Sequence, residues 1–480
     1  MWSRTGWLLM AALTLGLAAC DAAKNDDTRG AKPPDPTRDY GILGFVNAMP
    51  DAPPLLLVYR GTNGGGGTTQ LSFGQAVQES TIVGGYLVQV SYVDANGDVV
   101  VVYENTSDDT LKLFADDETT VVLSGTLADP QAFLVENTEY LYGVELPSDP
   151  NLIDEPPEVQ FINTVQGHGA LDIYLTASAA DLAAATPAAT LDYQGISTLS
   201  VVTPGTDYRL RVTPSGDPAT VLYDSGTFEI ASTSRTLFAA FDYFGPGTDD
   251  VRVKILRGGI VVFPNEPIDH VVRATDVVAD VAAVDVYLGD IAGAPDFAAV
   301  GFGTRSDYLA VPGGTYSVNV TPAGVPSEVL FNGSLAFAPG DASSLYFSGL
   351  QSDPANSDAL NVKAVGFPED NRPIPGFSQV QVVHGAATAS TVNIYLLRPG
   401  ETTDGQIPDF LQLQFGGSSN TAVGSGDYDV LVVNAADDTP LIGPDRVTLA
   451  EDTIYTLVLR DTAGGGAPLE YDLLTSPVGF

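Results

Sequence analysis

The stretch VQVVHGAATASTVNIYLL, residues 380–397, decides the fold because its pattern occurs in three other places in the chain. The other copies are GFVNAMPDAPPLLLVYRG at 44–61, VQFINTVQGHGALDIYLT at 159–176 and DHVVRATDVVADVAAVDVYLG at 269–289. Each copy ends in an apolar segment that carries a tyrosine. These are Tyr59, Tyr174, Tyr287 and Tyr395, which are 115, 113 and 108 residues apart. The near-constant spacing predicts a tandem repeat.

Two further landmarks follow each copy in the same order. The first is a segment led by glycine, VGGYLVQV, PGTDYRLRV, PGGTYSVNV or GSGDYDVLV, with Tyr86, Tyr208, Tyr316 and Tyr428. The second is a late hydrophobic segment, TVVLSG, TLFAAF, SLYFSGL or IYTLVL. Three landmarks repeated four times predict four domains of about 110 residues. We expect them at residues 40–150, 157–262, 267–368 and 376–476.

Within each unit the hydrophobic period is two. In the third unit Tyr316, Val318 and Val320 alternate with polar residues, and short segments of this kind are bounded by Gly and Pro. Such alternation is typical of strands with one buried face. With about eight strands and almost no helical period per unit, the sequence predicts an all-β fold: a tandem array of antiparallel, immunoglobulin-like β-sandwiches. We expect the tyrosine of the second landmark to lie in the core, with its hydroxyl bonded near the rim.

The N-terminus predicts a signal peptide over residues 1–19. Arg4 precedes the apolar run WLLMAALTLGLAA (7–19), which is too short to span a bilayer. Leu17-Ala18-Ala19-Cys20 resembles the bacterial lipobox, and the resemblance implies cleavage by signal peptidase II before Cys20 and a diacylglycerol on its thiol. The alternative is an ordinary secretory signal with a chance cysteine. Cys20 is the only cysteine of the chain, so no intramolecular disulfide can form.

The segment after the cysteine predicts a flexible linker over residues 20–39. It is polar and proline-bearing, DAAKNDDTRGAKPPDPTRD, and a flexible chain of this length spans about 24 Å. We therefore expect the protein to meet the membrane through its N-terminal lipid. Asp21 leaves inner and outer membrane undecided, and the array can face the periplasm or the cell surface.

The charge excludes one class of partner. Sixty acidic and twenty basic residues give a formal net charge of −40. Nucleic-acid binding depends on Lys and Arg that release counterions, so we expect no nucleic-acid partner. The acidity fits a soluble surface, with divalent-cation binding as the alternative, because calcium prefers oxygen ligands.

His384 is the most conspicuous candidate for catalysis, and the repeat indicates that it is structural. It lies 11 residues before Tyr395, and Asn163 and Asn47 occupy the matching positions of the second and first units. We assign Arg273 to this position in the third. A catalytic base cannot be replaced by Asn or Arg, whereas a polar residue that ends a strand and bonds a loop can.

Other candidate sites are weak. His168 and His270 lie in different units without metal-ligand spacing, and no G-x-S-x-G is present, so we predict no catalytic residue and no metal site. DANGD (94–98) faintly resembles a calcium loop but lacks its later ligands, which favours a hairpin turn. We expect the acidic groups at 116–118, 249–250 and 437–438 to lie between strands. GTNGGGG (61–67) lacks the Lys and the helix of a phosphate loop.

The loop after the first landmark varies in every unit, and we expect it to form the binding surface. The four loops are GTNGGGG, TASAADLAAATPAAT, GDIAGAPDF and RPGETTDGQIPDF. Variable loops on a repeated rigid frame are where specificity usually lies. The C-terminal SPVGF has an aromatic end like that of an outer-membrane barrel, but its proline argues against that fold.

Three stretches carry a family resemblance. VQVVHGAATASTVNIYLL, NAMPDAPPLLLVY and VGFGTRSDYLAVPGGTYSVNVTPAG (300–324) resemble the bacterial domain of unknown function 4397 (DUF4397) over roughly residues 40–475, most closely in the third and fourth units. The resemblance implies a secreted or envelope-anchored β-domain, commonly in tandem. It implies no activity, because none is established for the family.

Together these observations predict a lipid-anchored, non-enzymatic protein of the cell envelope. Its sandwiches would act as spacers and as binding modules for an envelope protein or a glycan. One alternative is a surface adhesin stiffened by Ca²⁺ bound at the linkers 149–158, 263–267 and 367–376. An envelope hydrolase is the third reading. No cofactor other than Ca²⁺ is expected.

Overall fold

The computed structural model describes residues 39–137 except 96 and 116, residues 157–256 except 206, 231–234 and 248–249, residues 261–352, residues 362–476, and residue 479. The chain divides into two compact units. One comprises residues up to 49 and 54–148, and the other comprises residues 50–53 and 149–480. No helix in the described ranges is long and apolar enough to cross a membrane.

Strands make up nearly all the regular structure of the four repeats. The first repeat contains β1 (Tyr40–Asn47), β2 (Leu55–Gly61), β3 (Gly66–Leu71), β4 (Ala76–Ile82), β5 (Gly84–Val93), β6 (Val99–Glu104), β7 (Leu111–Leu113), β8 (Glu118–Thr126) and β9 (Asp129–Asn137). The second contains β10 (Glu158–Asn163), β11 (Leu171–Ala177), a 3-10 helix (Leu182–Ala184), β12 (Ala189–Leu191), β13 (Ser200–Val201), β14 (Asp207–Pro214), β15 (Tyr223–Glu229), β16 (Arg235–Asp242), β17 (Val251–Ile255) and β18 (Val261–Val262).

The remaining strands belong to the third and fourth repeats. The third contains β19 (His270–Val278), β20 (Ala283–Leu288), β21 (Phe297–Gly301), β22 (Leu309–Val311), β23 (Gly314–Pro322), β24 (Phe331–Phe337), β25 (Ala342–Gly349) and β26 (Lys363–Pro368). The fourth contains β27 (Phe377–His384), β28 (Val392–Leu397), β29 (Phe410–Leu413), β30 (Ser418–Gly424), β31 (Gly426–Asn434), β32 (Pro440–Leu449), β33 (Thr453–Arg460) and β34 (Glu470–Ser476).

Each repeat is a sandwich of two sheets, which confirms the predicted fold class. In the third repeat the sheets have the strand orders β22-β19-β25-β26 and β21-β20-β23-β24. The fourth repeat repeats this topology with β30-β27-β33-β34 and β29-β28-β31-β32. The first and second repeats add β7 and β18, respectively, to the same scheme.

One pair of strands in each repeat is parallel, which differs from the predicted all-antiparallel pairing. β19 pairs with β25 in parallel, and β1–β8, β10–β16 and β27–β33 do the same. The other pairs are antiparallel. The parallel pair arises because the intervening strands cross to the second sheet before the chain returns beside the first strand.

The core of each sandwich comes from the alternating apolar residues. In the third repeat Val272 and Leu345 of one sheet pack against Val286 and Val318 of the other. The second and fourth repeats have equivalent clusters. In the first repeat, the rings of Phe45 and Tyr59 approach to 5.4 Å across the two sheets. Burial of these side chains accounts for the period of two in the sequence.

The structure corrects the alignment of the first repeat by one residue. Tyr174, Tyr287 and Tyr395 pair with Arg211, Asn319 and Leu431, each three residues after a second-landmark tyrosine. In the first repeat the residue that pairs with Gln89, three after Tyr86, is Val58 and not Tyr59. Tyr59 therefore points into the core, whereas the other three tyrosines lie on the opposite face of their strands.

Candidate functional site

The predicted lipidation site lies outside the described residues. This holds for Cys20 and for Leu17, Ala18 and Ala19, which the lipobox resemblance assigns to signal peptidase II. The anchor therefore remains a prediction from the sequence.

A buried polar residue ends the first strand of every repeat, and its identity in the third repeat differs from our prediction. The residues are Asn47, Asn163, Asp276 and His384, all fully buried. Asp276 takes the place that we had assigned to Arg273. Its backbone N–H bonds Thr304 O, as that of His384 bonds Gly417 O. Asp276 lies 11 residues before Tyr287, so the spacing shared by His384 and Asn163 pointed to it.

The side chain at this position holds the turn that follows the strand. The side-chain oxygens of Asn47, Asn163 and Asp276 each accept a hydrogen bond from the backbone N–H two residues later, at 2.9–3.0 Å. The two Asn amides also donate to Leu71 O and Leu191 O, both at 3.1 Å. These bonds fix a loop, as the sequence analysis predicted for a structural residue.

His384 serves the same purpose with a ring. Its Nε2 lies 3.0 Å from Ser390 O, which assigns the proton to that nitrogen. Burial lowers the pKa of His384, so the ring stays neutral near pH 7. This geometry is that of a structural residue.

Asp276 is the chemically unusual member of the set. Burial raises its pKa to about 7. Its Oδ1 accepts from Val278 N, while its Oδ2 is buried without a donor from the described residues. A protonated Oδ2 would copy the amide of Asn47 and Asn163, and the corresponding acceptor is Val300 O, four residues before Thr304.

The other two histidines occupy separate places. His270 Nδ1 lies 3.0 Å from Ala338 O and its Nε2 2.8 Å from Ser343 Oγ. Burial lowers the pKa of His270. His168 pairs with Asp250 at 2.7 Å. Within the described part of the chain, no group of three His, Cys, Asp or Glu residues is placed to hold a metal ion.

The second-landmark tyrosines form the predicted rim bonds in all four repeats. The hydroxyl of each donates to a carbonyl four or five residues earlier. The bonds are Tyr86–Ile82 at 2.6 Å, Tyr208–Thr203 at 3.1 Å, Tyr316–Pro312 at 2.8 Å and Tyr428–Gly424 at 2.6 Å. Each bond ties the turn before the strand to the strand itself.

The acidic segments have mixed outcomes. Residues 94–98 form the turn between β5 and β6, where Asp98 N donates to the side chain of Asp94 at 2.9 Å, and 437–438 lie in the turn between β31 and β32. Glu118 contradicts the prediction for 116–118, because it begins β8 and is buried, where Gln78 donates to it at 2.7 Å. Asp250 of the 249–250 pair bonds His168 as described above.

The variable loops occupy one structural position. They are residues 62–65, 178–188, 289–296 and 398–409, and each joins the same two neighbouring strands of the second sheet. In the third and fourth repeats an aspartate anchors the end of the loop, since Asp296 accepts from Leu288 N and Asp409 from Leu396 N, both at 2.7 Å. Burial raises the pKa of Asp409 to about 6.

The loops of the second and third repeats also bond the outer face of their own sheet. Arg211 Nη2 on β14 donates to Ala180 O in the second loop at 2.9 Å. Asn319 Nδ2 on β23 donates to Gly289 O in the third at 2.8 Å. Polar residues on these outer faces are consequently buried. The loop of the first repeat is only four residues long.

A joint between the second and third repeats is built from polar groups. The buried Arg252 on β17 donates from Nη1 to Gly340 O at 2.9 Å and pairs with Asp341 at 2.8 Å. Asn265 in the linker is also buried, and its Oδ1 accepts from Asp224 N at 3.2 Å. The linker is thus held by hydrogen bonds on both sides.

The joint between the third and fourth repeats has a buried ion pair at its centre. Arg273 Nε and Nη2 bond the two carboxylate oxygens of Glu369 at 2.7 and 2.9 Å. Arg273 Nη2 also donates to Ser476 Oγ of the fourth repeat at 2.8 Å, and its guanidinium lies 4.4 Å from the ring centre of Tyr308. A second arginine, Arg305, donates to Thr475 O at 2.5 Å.

Apolar contacts complete this joint. Val277 and Tyr346 of the third repeat pack with Val383 and Val458 of the fourth in one buried cluster. A small cavity of about 30 Å³ lies beside the ion pair, lined by Arg273, Glu369 and residues of β27 and β33. Packing around a bidentate pair holds the two sandwiches in one arrangement.

The linker carboxylates expected for calcium are bound by arginines instead. Glu369 accepts from Arg273, and Asp370 from Arg372 at 2.9 Å. Most of the linker 149–158 lies outside the described residues. No observation from the described linkers favours a calcium site.

Comparisons with known proteins cover only part of the chain. The model of the family described as a domain of unknown function (DUF4397) matches residues 271–395, from β19 of the third repeat to β28 of the fourth. No curated protein matches.

Among solved structures, the Bacillus anthracis TIE protein is 9% identical, with 90% of this chain and 76% of that chain covered and a TM-score of 0.15. A putative adhesin from Bacteroides ovatus is 9% identical, with 50% and 98% covered and a TM-score of 0.14. A tetra-tandem repeat in the extending region of a large adhesion protein is 14% identical, with 92% and 100% covered and a TM-score of 0.10. What these comparisons add to the sequence is the DUF4397 match, and it lies in the two repeats where the resemblance is closest.

Proposed function

We propose that the protein is a lipid-anchored, non-enzymatic component of the cell envelope whose β-sandwich repeats act as spacers and binding modules. The observation that carries the proposal is the joint in which Arg273 bonds both Glu369 of the linker and Ser476 of the next repeat. A buried, bidentate joint of this kind keeps neighbouring sandwiches in a fixed arrangement, which is what a spacer requires.

The binding role rests on the loops. Residues 178–188, 289–296 and 398–409 differ in length and sequence while the strands around them repeat. Loops that vary on a constant frame carry specificity in other repeated β-folds. An envelope protein or a glycan is the proposed ligand.

The anchor rests on Cys20 and the apolar run before it. Labelling of growing bacteria with a palmitate analogue tests it. The wild-type chain and a Thr28→Ala control should carry the label and sediment with membranes, while Cys20→Ser should lose both properties. Label on the Cys20→Ser chain, or unchanged sedimentation, would contradict the proposal. Protease treatment of intact cells would then show which side of the membrane the array faces.

A further inference from the structure

The outer face of the second sheet in the first repeat exposes large apolar side chains. They are Leu87 and Val93 on β5, exposed by 39% and 44%, and Val99 and Val101 on β6, exposed by 59% and 44%. The intervening residues Val88 and Val90 fill the core, so these four share the opposite face. Contiguous exposed apolar surface on a soluble domain marks an interaction site.

The exposure follows from the short loop of this repeat. In the second and third repeats the loop bonds polar residues of the matching face, through Arg211–Ala180 and Asn319–Gly289. Residues 62–65 of the first repeat form a tight turn of mostly glycine. The sheet face that the other loops help to bury therefore stays open to solvent.

The strand at the border of this face is an open edge. β6, with the sequence VVVVYE, pairs with β5 on one side, and the described residues provide no strand on its other side. Natural edges are usually protected by charges, prolines or bulges. The equivalent β32 of the fourth repeat carries Pro444, Asp445 and Arg446. β6 has four consecutive valines in their place.

The charges around β6 indicate what can pair with it. Asp98 precedes the strand and Glu104 ends it. A second copy of β6 in antiparallel pairing would bring Asp98 opposite Glu104 at both ends, and like charges directly opposite are destabilising. A strand with basic residues at its ends would instead form two attractive pairs.

We propose that β6 is a strand-addition site for an extended segment of a partner protein, apolar at alternate positions and flanked by Lys or Arg. Main-chain hydrogen bonds to the open edge would supply affinity, and Val99 and Val101 would contact the apolar side chains of the added strand. The proposal rests on the binding-module role proposed above and names the chemistry of its partner.

Two synthetic peptides test the site: Lys-Thr-Val-Thr-Val-Thr-Val-Lys and the same peptide with Glu at both ends. Fluorescence anisotropy with the purified Cys20→Ser chain should show that the Lys peptide binds about tenfold or more tightly than the Glu peptide. Its affinity should fall as salt is raised.

Two matched variants locate the binding. Val101→Lys should abolish binding of the Lys peptide. Val329→Lys, a similarly exposed valine of the third repeat, should leave it unchanged. Circular dichroism of both variants checks that the fold is retained.

Equal affinity for both peptides, no binding, or binding that survives Val101→Lys would overturn the proposal. So would sedimentation showing a dimer that Val101→Lys dissolves, because the occupant would then be a second copy. The assay needs no lipid anchor, so its failure is separable from failure of the palmitate experiment.

Discussion

Asp276→Asn tests the reasoning on the buried polar position most directly. Burial raises the pKa of Asp276 from 3.8 to about 7. The folded chain therefore keeps a proton between these values that the unfolded chain releases, and stability falls as pH rises from about 4 to about 7. At 1.36 kcal/mol per unit, the ionised carboxyl costs the fold about 4 kcal/mol above pH 7.

Asn at this position keeps the acceptor for Val278 N and adds a donor, as in Asn47 and Asn163. We expect Asp276→Asn to stabilise β19 by a few kcal/mol at pH 8.5 and to have little effect at pH 4. Hydrogen exchange with mass spectrometry on a peptide that covers β19 measures the opening free energy at each pH.

The chain offers the reciprocal variant as a control. Asn163→Asp should destabilise β10 at pH 8.5 and much less at pH 4, because it introduces the same buried carboxyl in the second repeat. The reasoning is refuted if Asp276→Asn destabilises β19 at both pH values. It is equally refuted if the wild-type strand becomes more stable between pH 4 and 8.

Three further outcomes are expected. Arg273→Ala leaves Glu369 buried without its partner and should destabilise the joint by about 3–5 kcal/mol in calorimetry, whereas Arg446→Ala at the exposed pair with Asp429 should have little effect. Tyr428→Phe removes the hydroxyl bond at the rim and should lower the urea midpoint by an amount equivalent to about 1 kcal/mol, with unchanged circular dichroism as the check. Millimolar calcium should not move the calorimetric transitions, and a clear rise would restore the calcium-stiffened adhesin.

The sequence was a good guide wherever the signal was local. Alternation of apolar and polar residues, turns at Gly and Pro, and landmarks about 110 residues apart predicted the sandwich and its repetition. The rim bonds of Tyr86 and Tyr428 followed from the same landmarks. Each of these features depends on residues within a few positions of one another.

The alignment of the polar position could have been right from sequence but was not. Asp276 has the same 11-residue spacing to its tyrosine as Asn163 and His384, and we took Arg273 by assuming a longer loop. The first repeat has one extra residue before its tyrosine, and a shift by one residue moves a side chain to the other face of its strand. Only the pairing of Val58 with Gln89 shows this.

The sequence by itself thus determined the strands, their period and their repetition, because these reflect which face of each short segment is buried. The tertiary structure decided the parallel pairing of β19 with β25, the burial of Glu118 and the contact of Arg273 with Ser476, which is 203 residues away. It also decided that the outer face of the first repeat stays open. Such contacts depend on how distant segments pack together, and no local pattern of residues encodes that packing.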